Sequence, residues 1–381
     1  MTTAAMKPPA VQTPIPLLDL KGQYAPIREE IRRAIDAVCD SQRFIGGPEV
    51  VACEEAIAAY CGCKYAIGMS SGTDALLCSM MAMGIGPGDE VVVPSFTFFA
   101  TAGCVSRLGA KPVFVDVDPD TCNTTADYIA KAITPRTKLI IPVHLFGQCA
   151  DMDPIMALGK SRNIPVMEDA AQSIGATYKG RQACSMGDVG TLSFFPSKNL
   201  GAFGDAGMVC TNRSDLADRI RMFRDHGASP KYYHKWIGGN FRLDALQAAV
   251  VRIKLQYLSG WSKQRGENAC RYGGLFAGSV VRPPVINESN ISIFNQYCIR
   301  VPRRDELRKH LDAHGIGNEV YYPVPLHMQE CFASLGGKPG DCPNAEAAAR
   351  DILAIPIYPE LTTEQQERVA ATILDFYKSG A

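Results

Sequence analysis

Short apolar segments of the β type alternate with segments of helical periodicity from Ile15 to about residue 250. This alternation is typical of α/β folds, because strand–helix–strand units place their strands side by side in a mainly parallel sheet. Several of the apolar runs are continuous, as expected for strands that helices cover on both faces. The sequence predicts strands at residues 90–93, 112–117, 139–144, 165–168, 189–194 and 207–211.

The pattern changes beyond a long helical segment predicted at residues 243–258. A Pro-Pro pair interrupts the chain, and a strand at 291–301, a charged helix at 305–314 and a last helix at 363–377 follow. We therefore predict a large domain over residues 15–258 and a small C-terminal α+β domain over 259–381. Residues 1–14 are rich in Pro and Thr and are predicted to form a mobile leader.

Charge and composition exclude several classes of partner. Lys and Arg number 39, as do Asp and Glu, so the chain has no overall positive field that would gather nucleic acid or an anionic membrane. No apolar run approaches the roughly 20 residues that span a bilayer. The 14 cysteines lie mostly in apolar segments, and the close pair Cys61 and Cys63 lacks the spacing of a zinc site. We expect a cytoplasmic protein that binds no metal, membrane or nucleic acid.

Two segments resemble known binding motifs, but the residues or elements around them do not match those motifs. The glycine-rich residues 84–91 lead from a helix into a strand, whereas a dinucleotide-binding loop leads from a strand into a helix. His310 and His314 are four residues apart on a predicted helix but lack the Glu of the HExxH motif. We interpret the first as a turn and the second as part of a solvated face.

Four other segments carry candidate chemistry. Residues 70–77, SSGTDALL, place Gly72 and Thr73 at a helix N-terminus, which either binds an anion or is simply capped. A buried strand ends in an acid, Asp169, that either caps the next helix or faces a ligand. A Gly-rich loop beside two Phe residues carries Lys198, which is either a surface lysine or a desolvated nucleophile. The fourth segment places Asn240 in a loop before a helix.

Together these features match the needs of pyridoxal 5′-phosphate. The cofactor requires an amine for its aldehyde, a carboxylate beside its pyridine nitrogen and hydrogen-bond donors for its phosphate. Lys198, Asp169 and the helix N-terminus at Gly72 offer one group of each kind. The combination therefore predicts a pyridoxal phosphate enzyme.

The sequence also resembles a known family along nearly its whole length. The DegT/DnrJ-type nucleotide-sugar aminotransferases have similar motifs in the same order, which read here SSGTDAL, PSFTFFAT, HLFGQCADMDPI, EDAAQSIGA, SFFPSKNLGAFGDAG, NFRLDALQAA and YYPVPLH. The resemblance implies the fold of aspartate aminotransferase, fold type I of the pyridoxal phosphate enzymes. In that fold a large domain with a mixed, mainly parallel seven-stranded sheet is joined to a small C-terminal domain.

The resemblance also implies roles for individual residues. Lys198 would form a Schiff base with the cofactor and carry protons as general base and acid. Asp169 would hold the pyridine nitrogen and Gln172 the ring hydroxyl, while Phe98 would stack on the ring. The phosphate would be bound by Gly72, Thr73, Ser193 and, from the other subunit of a homodimer with shared active sites, Asn240.

The implied reaction moves an amino group from L-glutamate to a keto group of a dTDP- or UDP-activated hexose in amino-sugar and polysaccharide biosynthesis. The NFRLD motif favours a keto group at C3, with C4 as the alternative. Residues 229–240 resemble a loop that reaches the partner's substrate. Three alternatives stay open: a cyclitol aminotransferase, a sugar dehydratase and a non-catalytic regulatory relative. Lys198 favours transamination over dehydration, because the related dehydratases have His at that position.

Overall fold

The structure, a computed structural model, describes residues 13–378. The predicted leader therefore lies outside the described residues except for its last two positions. The α-helices in this part of the chain are α1 Leu20–Tyr24, α2 Arg28–Ser41, α3 Pro48–Cys61, α4 Gly72–Met83, α5 Ala100–Arg107, α6 Ala126–Ala132, α7 Met152–Arg162, α8 Ser214–Arg224, α9 Ala245–Leu275, α10 Arg304–Ala313, α11 Pro343–Asp351 and α12 Thr363–Lys378.

Parallel pairing dominates the central sheet. The strands are β1 Tyr65–Met69, β2 Glu90–Pro94, β3 Lys111–Val115, β4 Thr137–Ile140, β5 Met167–Asp169, β6 Thr177–Tyr178, β7 Arg181–Gln182, β8 Val189–Ser193, β9 Gly207–Thr211, β10 Asn290–Ile291, β11 Tyr297–Arg300 and β12 Ile352–Ile355. One ladder has the order β3-β2-β4 and another β1-β9-β8-β5. Parallel bridges from Ile140 to Val166 and from Val143 to Asp169 join β4 to β5, so the two ladders form one mixed sheet in which β9 runs antiparallel to its neighbours.

The six strands predicted for this sheet are present: the one predicted at 207–211 has the observed bounds, and the other five have one or both ends shifted. The predicted strand 139–144 stops at Ile140, because Pro142 has no N–H to donate to a ladder. Beyond it the chain continues as single bridges, in which Pro142 O accepts the Asp169 N–H at 3.0 Å. This arrangement brings the carboxyl ends of β4, β5 and β8 together at one edge of the sheet.

Two predictions for the C-terminal region were wrong in extent. The predicted strand 291–301 is two short strands, β10 and β11, because Phe294 between them has a φ of 45°. The helix predicted to end at residue 258 continues to Leu275 as one helix of 31 residues. The division into domains at residue 258 therefore falls inside a continuous helix, and it stays a prediction.

The apolar core separates into several clusters. Two of them line the central sheet: one includes Ile57, Phe194 and Leu258, and the other includes Met69, Val93 and Ile141. A third gathers the C-terminal elements with the end of α9, through residues such as Tyr272, Ile299 and Ile373. Within residues 13–378, no helix has both the length and the apolar character needed to cross a bilayer.

Candidate active site

A cavity of about 430 Å³ opens at the edge of the sheet where β5 and β8 end. Its lining includes seven of the eight residues predicted for the site: Gly72, Thr73, Phe98, Asp169, Gln172, Ser193 and Lys198. These residues come from segments far apart in the sequence, and the fold brings them to one place. The cavity is therefore the candidate active site.

The N-terminus of α4 forms one wall. Ser71 caps the helix by accepting the Asp74 N–H at 3.0 Å, which leaves the N–H groups of Gly72 and Thr73 without a partner among the described residues. A side chain at Gly72 would meet the Cβ of Ser193 at 2.6 Å, and one at Gly207 would meet the Ser71 carbonyl at 2.4 Å. The two glycines thus let the helix end approach β8 and β9 closely and form an anion-binding cradle.

Asp169 ends β5 and faces the cavity. The Thr101 hydroxyl donates to its Oδ2 at 2.7 Å, and the Ala171 N–H donates to its Oδ1 at 3.2 Å. Burial raises the pKa of the Asp169 carboxyl, although these two donors and the nearby Lys198 act in the opposite direction. A cationic group bound in the cavity would compensate this buried carboxylate.

The neighbouring acid, Glu168, points away from the cavity because successive strand residues face opposite sides of the sheet. Its carboxylate accepts N–H groups from Cys184, Met186 and Gly187 at 2.6–2.9 Å. His144 accepts the Ala150 N–H at Nδ1, so its Nε2 donates to Glu168 at 2.8 Å. Glu168 is therefore a satisfied core residue, and Asp169 is the acid available to a ligand.

Lys198 follows the end of β8 in a tight turn. Its backbone N–H donates to the Phe195 carbonyl at 2.8 Å, and the next residue, Asn199, donates from its side chain to the Ile293 carbonyl at 3.0 Å. The lysine is half-buried, and burial lowers the pKa of its amine to about 8, while Asp169 opposes the shift. A lowered pKa raises the neutral fraction of this amine at physiological pH, which favours its action as a nucleophile.

Gln172 and Phe98 lie on other walls of the cavity. The Gln172 Oε1 accepts the Phe146 N–H at 2.8 Å, and its Nε2 donates to the Tyr322 hydroxyl at 3.0 Å. Phe98 is 57% exposed, so one face of its ring is available to a planar ligand. Its centroid lies 6.3 Å from that of Tyr322.

Asn240 does not belong to the cavity of its own chain. It is exposed and pairs with Asp225 through a bridge at the base of the segment 229–239. In that segment Tyr232, Tyr233 and Ile237 are 78%, 72% and 92% exposed. Exposed aromatic and aliphatic side chains grouped on one loop are typical of a surface that another protein covers.

Sequence reasoning missed several cavity residues, which are Thr97, Phe195, Ser197, Asp205, Gln296, Tyr321 and Tyr322. Most of them fall within motifs that the sequence comparison singled out, but a motif does not show which of its side chains face inward. Thr101 was missed for the same reason, since it contacts Asp169 from within the PSFTFFAT motif.

The cavity fits pyridoxal phosphate. It presents an amine of lowered pKa, a buried carboxylate at a strand end and free N–H groups at a helix N-terminus in a cleft of suitable size. A Cβ at Gly207 would lie 2.7 Å from the Gly72 nitrogen, so a glycine at position 207 keeps side-chain atoms away from this N–H group. Each group suits one part of the cofactor.

Comparison with known proteins agrees with this geometry. Residues 25–374 match the DegT/DnrJ/EryC1/StrS aminotransferase family. This chain belongs to that family. As a member, it is a pyridoxal phosphate-dependent aminotransferase of fold type I.

Three relatives show the extent of the similarity. A pleiotropic regulatory protein of Geobacillus stearothermophilus is 48% identical, covering 96% of this chain and 99% of its own. The dTDP-3-amino-3,4,6-trideoxy-α-D-glucose transaminase of Streptomyces venezuelae is 43% identical, covering 96% and 97%. The crystal structure of S. venezuelae DesV in complex with a ketimine intermediate superposes with a TM-score of 0.93 at 42% identity, covering 96% of this chain and 99% of that one.

Proposed function

We propose that this aminotransferase moves an amino group from L-glutamate to C3 of a dTDP- or UDP-activated keto-hexose in amino-sugar biosynthesis. The observation that carries the proposal is the convergence of Lys198, Asp169 and the α4 N-terminus on one cavity. The S. venezuelae transaminase, named for a 3-amino sugar nucleotide, supports the substrate class and the C3 position. A cytoplasmic location stays a prediction.

Each residue has a separate task in this proposal. When bound, pyridoxal phosphate supplies a reactive aldehyde carbon and a ring that accepts electrons. The Gly72 and Thr73 N–H groups and the Ser193 hydroxyl bind its phosphate. The Asp169 carboxylate, oriented by Thr101, holds a proton on the ring nitrogen. Lys198 Nζ takes up and returns the proton that moves when an amino group is transferred.

We also propose a homodimer in which each cavity is completed by the partner. Exposed aromatic rings, including those of Phe98 and Phe195, line the cavity. Asn240 lies at the end of the exposed loop and does not line the cavity of its own chain. A two-fold axis would let the loop of one subunit reach the cavity of the other. Asn240 would then add a donor for the phosphate, and residues 229–239 would contact the nucleotide sugar.

The similarity to the pleiotropic regulatory protein of Geobacillus stearothermophilus suggests a second candidate function, a regulatory role without catalysis. A protein without catalysis would not need a desolvated lysine beside a buried carboxylate, and both are present here. The geometry therefore favours an enzyme. The position of the keto group and the nucleotide depend on side chains of both subunits.

A substrate panel tests the proposal. The purified enzyme, loaded with pyridoxal phosphate, is incubated with L-glutamate and matched 3-keto and 4-keto hexoses carrying dTDP or UDP, and amino-sugar formation is followed by mass spectrometry. We expect amination of a 3-keto substrate and none in the Lys198→Ala variant. Amination of only the 4-keto sugars, or of scyllo-inosose, would overturn the C3 assignment while leaving the aminotransferase activity intact.

A further inference from the structure

Tyr322 stands beside Gln172 in the same cavity as Lys198. The backbone N–H of Phe146 donates to Gln172 Oε1 at 2.8 Å, which fixes the amide so that its nitrogen is on the side of Tyr322. That nitrogen donates one hydrogen to the Tyr322 hydroxyl at 3.0 Å. The amide nitrogen therefore has one further hydrogen to give.

The Tyr322 hydroxyl also has an unused proton. It accepts the bond from Gln172, and its own O–H finds no acceptor among residues 13–378. The ring is held by an edge contact with Phe96 at 6.0 Å between centroids. Burial raises the pKa of Tyr322, so the hydroxyl stays protonated and can act as a donor.

We propose that Tyr322 is a cofactor-binding residue that, together with Gln172, donates a hydrogen bond to the ring oxygen of pyridoxal phosphate. This rests on the cofactor assignment within the proposed function. The ring oxygen is anionic and can accept two hydrogen bonds, and two unused donors 3.0 Å apart offer them. Neither the sequence motifs nor the spacing of Asp169 and Gln172 indicates this second donor.

The expected consequence concerns the proton on the nitrogen that joins Lys198 to the cofactor. Two donors draw negative charge from the ring oxygen, which then holds that neighbouring proton less tightly. Other ionisable groups act on the same region: Asp169, Cys298 and Tyr321 interact with Tyr322, and Asp205 and Lys198 line the cavity. These groups are the same in a Tyr322→Phe variant, so the comparison isolates one hydroxyl.

The experiment is a pH titration of the visible absorption band of the cofactor-loaded enzyme without substrates. In Tyr322→Phe we expect the midpoint to rise by about one pH unit, because a hydrogen bond to the anionic oxygen is lost. Tyr321→Phe is the matched control, since this tyrosine lines the cavity without bonding Gln172, and its midpoint should equal that of the wild type. A wild-type midpoint in Tyr322→Phe would overturn the proposal.

Cofactor dissociation gives an independent measurement if Tyr322→Phe binds the cofactor weakly. Weakening by about fivefold or more, or roughly 1 kcal/mol, in Tyr322→Phe alone would support the proposal. Equal weakening in Tyr321→Phe would overturn it, since the loss would then come from general packing. If the wild type aminates a sugar but Tyr322→Phe titrates normally, only the role of Tyr322 is wrong. If the wild type binds no cofactor, both proposals fail.

Discussion

Gly72, the first residue of α4, packs directly against Ser193 at the end of β8. A Cβ at this position would lie 2.6 Å from the Cβ of Ser193, which is closer than packed carbon atoms allow. Relief of this overlap would push the helix end away from the strand and move the N–H groups that we assign to the phosphate. A substitution at Gly72 therefore tests whether these N–H groups bind the phosphate.

We expect Gly72→Ala to weaken cofactor binding at least about tenfold, which corresponds to about 1.4 kcal/mol. Titration of the apoenzyme with pyridoxal phosphate measures this loss. Gly266→Ala is the control, because a Cβ there meets nothing within 4 Å and helix α9 should gain about 0.5–1 kcal/mol of stability. Unchanged cofactor affinity in Gly72→Ala would show that the phosphate does not sit at this helix end.

At the scale of elements, helix α9 supports the loop that carries Lys198. Lys254 on this helix is 4% exposed, and its amine donates to the Gly201 carbonyl at 2.5 Å. Burial lowers the pKa of Lys254 to about 8 from its ordinary 10.5. The loop is thus also held by a second desolvated lysine, which does not line the cavity.

This burial predicts how stability changes with pH. Between about pH 8 and 10.5 the unfolded chain holds the Lys254 proton and the folded protein does not, so this group makes the protein more stable as pH rises. Below pH 8 the cost of burying the charge is fully present. We expect Lys254→Met to be more stable than wild type at pH 7, by at most about 3 kcal/mol before the lost hydrogen bond is subtracted.

Urea unfolding of the wild type and Lys254→Met at pH 7 and pH 10 tests the prediction. The difference in their free energies of unfolding should be smaller at pH 10. Lys263→Met serves as control, since the side chain of this residue on the same helix is 80% exposed and its replacement should show no such pH dependence. If Lys254→Met exceeded the wild type in free energy of unfolding by the same amount at both pH values, the lowered pKa of Lys254 would be contradicted.

The same helix shows why some elements were predicted and others were not. The central strands could be predicted from the sequence because their apolar runs are unbroken. In the second half of α9, by contrast, some of the side chains that face the interior are polar. Arg265 and Asn268 are buried there and bond to the carbonyls of Ile357 and Tyr358. A polar residue at a core position looks solvent-exposed in a sequence pattern, so the predicted helix ended too early.

The candidate site was predicted through chemistry and resemblance rather than through periodicity. Lys198 and Asp169 are side chains that the cofactor requires, and short motifs mark their positions. Tyr322 and Thr101 could not be assigned in this way, because their roles depend on which side chains a turn directs inward. Such directions follow from tertiary packing, which a single sequence does not display.

At the scale of the whole molecule, the proposed homodimer makes a prediction about mixed subunits. Lys198→Ala and Asn240→Ala homodimers should both lose most of their activity, because each lacks one group in both sites. A heterodimer of the two, purified through different tags, has one site with both residues intact and should regain about half of the wild-type activity. A heterodimer as inactive as its parents would contradict the shared site.

In the proposed reaction the cavity binds pyridoxal phosphate through Lys198, and the bound cofactor receives an amino group from L-glutamate. The most direct measurement is the visible absorption spectrum of the cofactor-loaded protein before and after L-glutamate is added, with no sugar present. We expect the yellow band to disappear and the near-ultraviolet band of the aminated cofactor to rise. A yellow protein whose spectrum does not respond to L-glutamate would contradict the donor assignment, and a protein that binds no cofactor would contradict the site itself.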